Sequence, residues 1–189
     1  MILHSLYRVE IHHPTQWQVP VSMIRLAVKE SLAQARFMPG TVGVIFISNE
    51  EIIDLNRKFR TIDEATDVLT FPYREPAHIP SGSTIPSKFG SKPPIGDIFI
   101  AYDYAKIQSQ IHDIPFEIEC TILAIHGALH LAGYDDVKLE DQATMVKATE
   151  SVWLSLGHES LPHWFTCDPE VIAKNATHIG DATDARRCS

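Results

Sequence analysis

Hydrophobic residues change their spacing along this chain, and each spacing predicts an element. Leu6 to Ile11 alternates apolar with polar residues, the period of a half-buried strand. From Pro20 to Phe37 the positions Val21, Ile24, Leu26, Ala27, Val28, Leu32 and Ala35 recur at helical spacing, and Pro39-Gly40 stops the run. Thr41 to Ile47 is almost continuously apolar and β-rich, with Val42, Val44, Ile45 and Phe46, which predicts a central strand. Ser48 or Asn49 then caps a helix whose first turn holds Glu50 and Glu51, where negative charge suits the dipole. Its core residues are Ile52, Ile53, Leu55, Asn56 and Phe59, and it ends near Arg60.

Thr66 to Tyr73 predicts a third strand and Gly96 to Tyr102 a fourth. Between them, residues 74–94 hold five prolines with Ser and Gly and no period, a long loop that is either mobile or laid over the site. A short helix from Asp103 to about His112 is followed by a strongly apolar one, Phe116 to Leu131. Glu140 to Leu156 is a last amphipathic helix, with Met145, Val146, Ala148, Val152 and Trp153, stopped at Gly157. This order predicts an α+β fold: a mixed sheet of about four strands packed against helices, with the apolar helix near the C-terminal part. Residues 1–157 form one domain in this reading, and 158–189 are a polar, irregular appendage.

A chain of 189 residues suits one domain and buries a sizeable core without staples. The net charge of −8 excludes a generic polyanion binder, so an RNA substrate would need a local basic patch. Three cysteines, Cys120, Cys167 and Cys188, form no C-x-x-C pair and leave one unmatched, which points to a reducing compartment. No secretory signal and no bilayer-length apolar run is visible, and the expected location is the cytoplasm.

The chemistry concentrates between Ile125 and Asp136. His126 and His130 are four apart and share one face of the apolar helix, where two imidazoles can grip one cation. Gly133 is placed to end the helix in a left-handed conformation and bring Asp135 or Asp136 back towards the same ion. That is a three-ligand site with an open fourth position. The spacing matches metzincin proteases, but Gly127 stands where they carry their Glu base, so a protease reading lacks its base. The alternative to a metal is two buried histidines satisfied by backbone carbonyls; the glycine and acidic residues at these spacings weigh towards the metal. Cys120 reads as core, and His158, His163 and His178 as surface residues without ligand spacing.

His-Gly-Ala-Leu-His-Leu-Ala-Gly-Tyr-Asp, at 126–135, resembles the signature of the YbeY family of bacterial metal-dependent endoribonucleases. Leu55-Asn56-Arg57-Lys58-Phe59-Arg60, Asp63, Thr66-Asp67-Val68-Leu69-Thr70-Phe71-Pro72 and Gly96-Asp97-Ile98 resemble it in the same order. The resemblance runs from about Leu3 to Gly157. It implies a single-strand-specific, metal-dependent endoribonuclease acting on ribosomal RNA, in 16S rRNA 3′-end maturation and ribosome quality control. It also implies one divalent metal ion, zinc first, held by His126, His130 and the position where the family has a third His and this chain has Asp136. Arg60 is the catalytic residue the resemblance implies; a guanidinium binds phosphate oxygens bidentately and stabilises charge on phosphorus. Arg74, Lys88 and Lys92 are candidates to extend a basic patch, and Asp67 or Asp97 to orient a ligand histidine. Two other readings stand beside this one: a ribosome-associated binding protein with a structural metal, and a metal-dependent hydrolase of another class such as a protease.

Overall fold

The structure is a computed structural model, and it describes residues 3–80, 83 and 92–162. A four-residue 3-10 turn, Leu3–Leu6, leads into strand β1, Tyr7–His12. Helix α1 (Val21–Gln34), β2 (Gly40–Ile47), α2 (Asn49–Arg60), β3 (Val68–Pro72) and β4 (Pro94–Ala101) follow. The chain then makes α3 (Tyr102–Ile111), α4 (Phe116–Leu131) and α5 (Leu139–Ser155). The sheet order is β1-β2-β4-β3, with β1, β2 and β4 parallel and β3 antiparallel at the edge. This is the mixed, four-stranded α+β architecture that the spacing predicts.

The largest boundary difference is at α1, which ends three residues before the expected Phe37. Arg36 takes a left-handed conformation at φ 51°, the amide of Phe37 donates to the Leu32 carbonyl at 2.9 Å, and that of Arg36 to Ala33 at 3.0 Å. The closure is tied down by the Tyr7 hydroxyl, whose single proton is shared between the carbonyls of Leu32 (3.0 Å) and Phe37 (2.6 Å).

Strand pleating sends alternate side chains to opposite faces. On one face Val42, Val44, Phe46, Val68, Ile98 and Ile100 pack against α1 and α4. On the other, Ile47, Leu69 and Ala101 pack with Ile52 of α2. Helix α4 is covered on its far side by Met145, Val152 and Trp153 of α5. Sandwiched in this way, α4 has almost no polar stripe, as a helix buried all round should. The described start of the 74–94 loop lies against the body: Phe37 and His78 form a bridge, Ile79 is buried, and Arg36 donates to the carbonyls of Ile79 and Pro80. Lys88 lies outside the described residues, as do Trp164, His163, His178, Cys167 and Cys188. No single helix among the described residues is long and apolar enough to cross a membrane.

Candidate metal centre

Close helix-to-sheet packing places the centre. A Cβ at Gly127 would sit 2.6 Å from Ile98 Cγ2 and 3.3 Å from Val68 Cγ2, so the glycine lets α4 lie directly on β3 and β4. His126 precedes it and His130 follows by one turn, and their rings meet edge to face at 4.4 Å between centroids. Their Nε2 atoms are 3.0 Å apart. Gly133, at φ 90°, then reverses the chain: the amide of Tyr134 donates to the Leu129 carbonyl at 3.1 Å and that of Gly133 to His130 at 2.9 Å.

The reversal brings two things to the histidines. The Tyr134 carbonyl comes within 3.0 Å of His130 Nδ1; a carbonyl only accepts, so Nδ1 donates to it and Nε2 is the ring atom turned to the site. The Asp136 carboxylate comes within 3.4 Å of His126 Nε2 and 3.7 Å of His130 Nε2. Asp135 does something different. Its Oδ1 accepts the amides of Asp136 (2.8 Å) and Val137 (3.4 Å), which shapes the turn that presents its neighbour. One atom each from His126, His130 and Asp136 thus lies within 4.8 Å of the others.

Burial lowers the pKa of His126, with the neighbouring His130 adding to the effect and Asp136 and Asp67 opposing it. For Asp136 burial acts to raise the pKa, but hydrogen bonds and charge from the two histidines outweigh it and hold the carboxyl well below the usual range. A deprotonated nitrogen and an ionised oxygen facing one point are what a cation needs.

A family model described as Endoribonuclease YbeY matches residues 9–157. The chain belongs to the YbeY family. The Endoribonuclease YbeY of Elusimicrobium minutum is 31% identical over 82% of this chain and 100% of its own length. That of Caldanaerobacter subterraneus is 36% identical over 72% of this chain and 87% of its own, and that of Brevibacillus brevis 34% over 79% and 96%. Among solved structures, that of TM1509 from Thermotoga maritima aligns at a TM-score of 0.48 and 27% identity, over 82% of this chain and 98% of that one.

The remaining YbeY motifs fall at α2 and the strand edges. Ser48 caps α2 in a reciprocal box, accepting from the Glu51 amide at 3.2 Å while the Glu51 carboxylate accepts from the Ser48 amide at 2.8 Å. Asn49 instead takes the Tyr104 amide and ties α2 to α3. At the other end Asn56 is buried and donates to the Glu64 carbonyl at 2.9 Å, fixing the turn that leads to β3. Arg57 is neutralised by Asp54 and Asp63. Arg60 is exposed, and among the described residues its guanidinium has no ion-pair partner. Asp67 enters β3 with its Oδ1 on the Val68 amide at 2.7 Å, and its charge reaches His126.

Asp97 is a correction. It projects from the sheet face opposite α4, beside Gly43 and bonded to the Tyr73 hydroxyl, so it does not orient a ligand histidine. Strand parity decides this, since Gly96 and Ile98 on either side of it face α4. Arg74 and Lys92 are tied to the carbonyls of Pro94 and Ser5, both at 2.6 Å. The Tyr134 carbonyl had no sequence signal, because a backbone oxygen is present at every residue. Past Gly157, His158 stacks on Trp153, the Trp153 indole donates to the Ser160 carbonyl at 2.7 Å, and Leu161 is buried, so the first appendage residues are packed down.

Proposed function

We propose that this protein is a metal-dependent endoribonuclease that cuts single-stranded RNA, with ribosomal RNA as its target and the cytoplasm as its place of work. The observation that carries the reading is the convergence of His126, His130 and Asp136. Their donor atoms are separated by 3.0, 3.4 and 3.7 Å. Neighbouring ligands around a tetrahedral zinc with bonds near 2.05 Å are about 3.4 Å apart. The donor set therefore suits one divalent ion, with zinc first; the carboxylate in place of a third imidazole lets harder metals such as Mn²⁺ compete.

A divalent ion there would act as a Lewis acid towards water and phosphate oxygen. The chain's own part is to hold His130 through the Tyr134 carbonyl, keep His126 unprotonated by burial, and aim Asp136 with the Asp135 turn. The Arg60 guanidinium takes the phosphate and stabilises the charge that grows on it during cleavage. Names shared with the Elusimicrobium and Brevibacillus relatives support RNA as the substrate. Residues 1–157 carry this chemistry, with 158–189 accessory.

Two rival readings fit less well. A structural zinc takes four protein ligands, whereas the group among the described residues has three. A protease base after His126 has no room, since even a methyl at 127 meets Ile98. The test is elemental analysis of the purified chain followed by cleavage of ribosomal RNA with and without chelator. The expected result is about one metal per chain and chelator-sensitive cutting, both lost in His126→Ala. Equal cutting by metal-free and metal-loaded chain would overturn the reading.

A further inference from the structure

The apolar stripe of α2 runs past the core that it serves. Ile52 and Leu55 pack with Leu69 and Phe99 on the sheet, as helical spacing requires. Phe59, one turn beyond Leu55, meets only the rim: its ring contacts Phe71 edge to face at 4.9 Å, and Phe71 contacts Phe99 in turn at 5.6 Å. The series carries aromatic surface from the sheet to solvent and leaves Phe59 56% exposed. Phe59 thus ends a continuous aromatic series rather than standing alone on the surface.

Its surroundings indicate what covers it. The Lys58 ammonium lies over the Phe59 ring, 5.2 Å from its centroid, and on its flexible stem it can swing from that face to a phosphate when a base stacks there. Arg60 follows in sequence, exposed and with no ion-pair partner among the described residues, whereas Arg57 is already neutralised by Asp54 and Asp63. An apolar face flanked by two available cations, on a chain of net charge −8, complements a flat base carrying phosphates on both sides. We propose that Phe59, braced by Phe71, is a stacking platform for an unpaired RNA base, with Lys58 and Arg60 holding the adjoining phosphates. This rests on the endoribonuclease reading and adds to it a site that selects single strands, because a paired base has no free face to offer.

The test uses the full chain, with chelator present so that binding is read without cutting. The probes are a fluorescent oligoadenylate and an abasic chain of the same length, followed by anisotropy. Phe59→Leu keeps an apolar contact for Phe71 but has no aromatic face; it should weaken oligoadenylate binding about tenfold and leave the abasic chain unaffected. Phe59→Trp should bind oligoadenylate at least as well as the parent. Thermal unfolding of each variant shows whether the fold is intact, and a Phe59→Leu chain that fails to fold leaves Phe59→Trp and Phe59→Tyr against the parent to decide. Overturning results are Phe59→Leu binding oligoadenylate like the parent, an equal loss on both probes, or a folded Phe59→Trp that binds poorly. A parent that cuts ribosomal RNA while any of these holds loses the platform alone; a parent that neither binds nor cuts RNA loses the endoribonuclease reading as well.

Discussion

Asp135 and Asp136 are adjacent carboxylates with separate work. Asp136 faces two imidazoles, while Asp135 accepts amides of the turn. Asp136→Ala is therefore expected to weaken zinc binding by at least tenfold, and Asp135→Ala by less; competition with a chromogenic chelator measures both. A parent-like affinity in Asp136→Ala would remove it from the ligand set. The buried His126 gives a pH prediction. Its folded pKa is lowered from the ordinary 6.5 and that of Asp136 from 3.8, so in both cases the unfolded chain binds more protons as pH falls. Stability contributed by His126 is complete above about pH 6.5 and declines below it, and that of Asp136 declines below about pH 3.8. Urea midpoints of the metal-free chain should drop between pH 7.5 and 5.5, and the drop should shrink in His126→Gln. The two histidines were legible in the sequence because helical spacing puts them on one face, and the acidic pair because Gly133 signals a reversal after the helix. The Tyr134 carbonyl was not, since it depends on how tightly the Gly133 turn closes.

At the scale of elements, α4 shows why a glycine sits between two ligand residues. In the sequence Gly127 marks a missing base; in the fold it is the contact point between helix and sheet. Gly127→Ala adds helix propensity of about 1 kcal/mol but forces a methyl against Ile98, an overpacking cost of about 1–3 kcal/mol. The expected net loss is about 1 kcal/mol in urea unfolding, accompanied by weaker metal binding as α4 lifts and carries His126 with it. A stabilised Gly127→Ala with full metal affinity would refute this contact. Element order was readable throughout, because each period persists for several residues. The face on which Asp97 falls was not, because it depends on strand register and on which helix covers which side.

For the whole molecule, packing extends beyond the last helix. Leu161 is buried against α5 and the Ser160 carbonyl takes the Trp153 indole proton. A chain ending at Pro162 should keep the parent's melting temperature and RNA cleavage. One ending at Gly157 should keep cleavage but lose about 2–3 kcal/mol with the Leu161 side chain and the indole partner. Loss of cleavage on truncation at Pro162 would make the appendage functional. In the sequence Trp164 and Phe165 point to partial docking of the tail, and both lie outside the described residues; the contacts of Leu161 and the Ser160 carbonyl leave no period to read.

Among the described residues, the order β1-β2-β4-β3 gives β1 a neighbouring strand on one side only. An edge strand is a template for a second strand, and aggregation is the hazard. Along β1 the buried Tyr7 and Val9 alternate with exposed Arg8, Glu10 and His12, and Arg8 pairs with Glu10 at 2.8 Å. That ion pair contributes little to stability on an exposed edge. Its value lies in the charge it keeps along the rim, where an approaching copy would have to desolvate both groups to zip on. Replacing Arg8 and Glu10 together by valine should leave the melting temperature nearly unchanged while light scattering on warming begins at lower protein concentration.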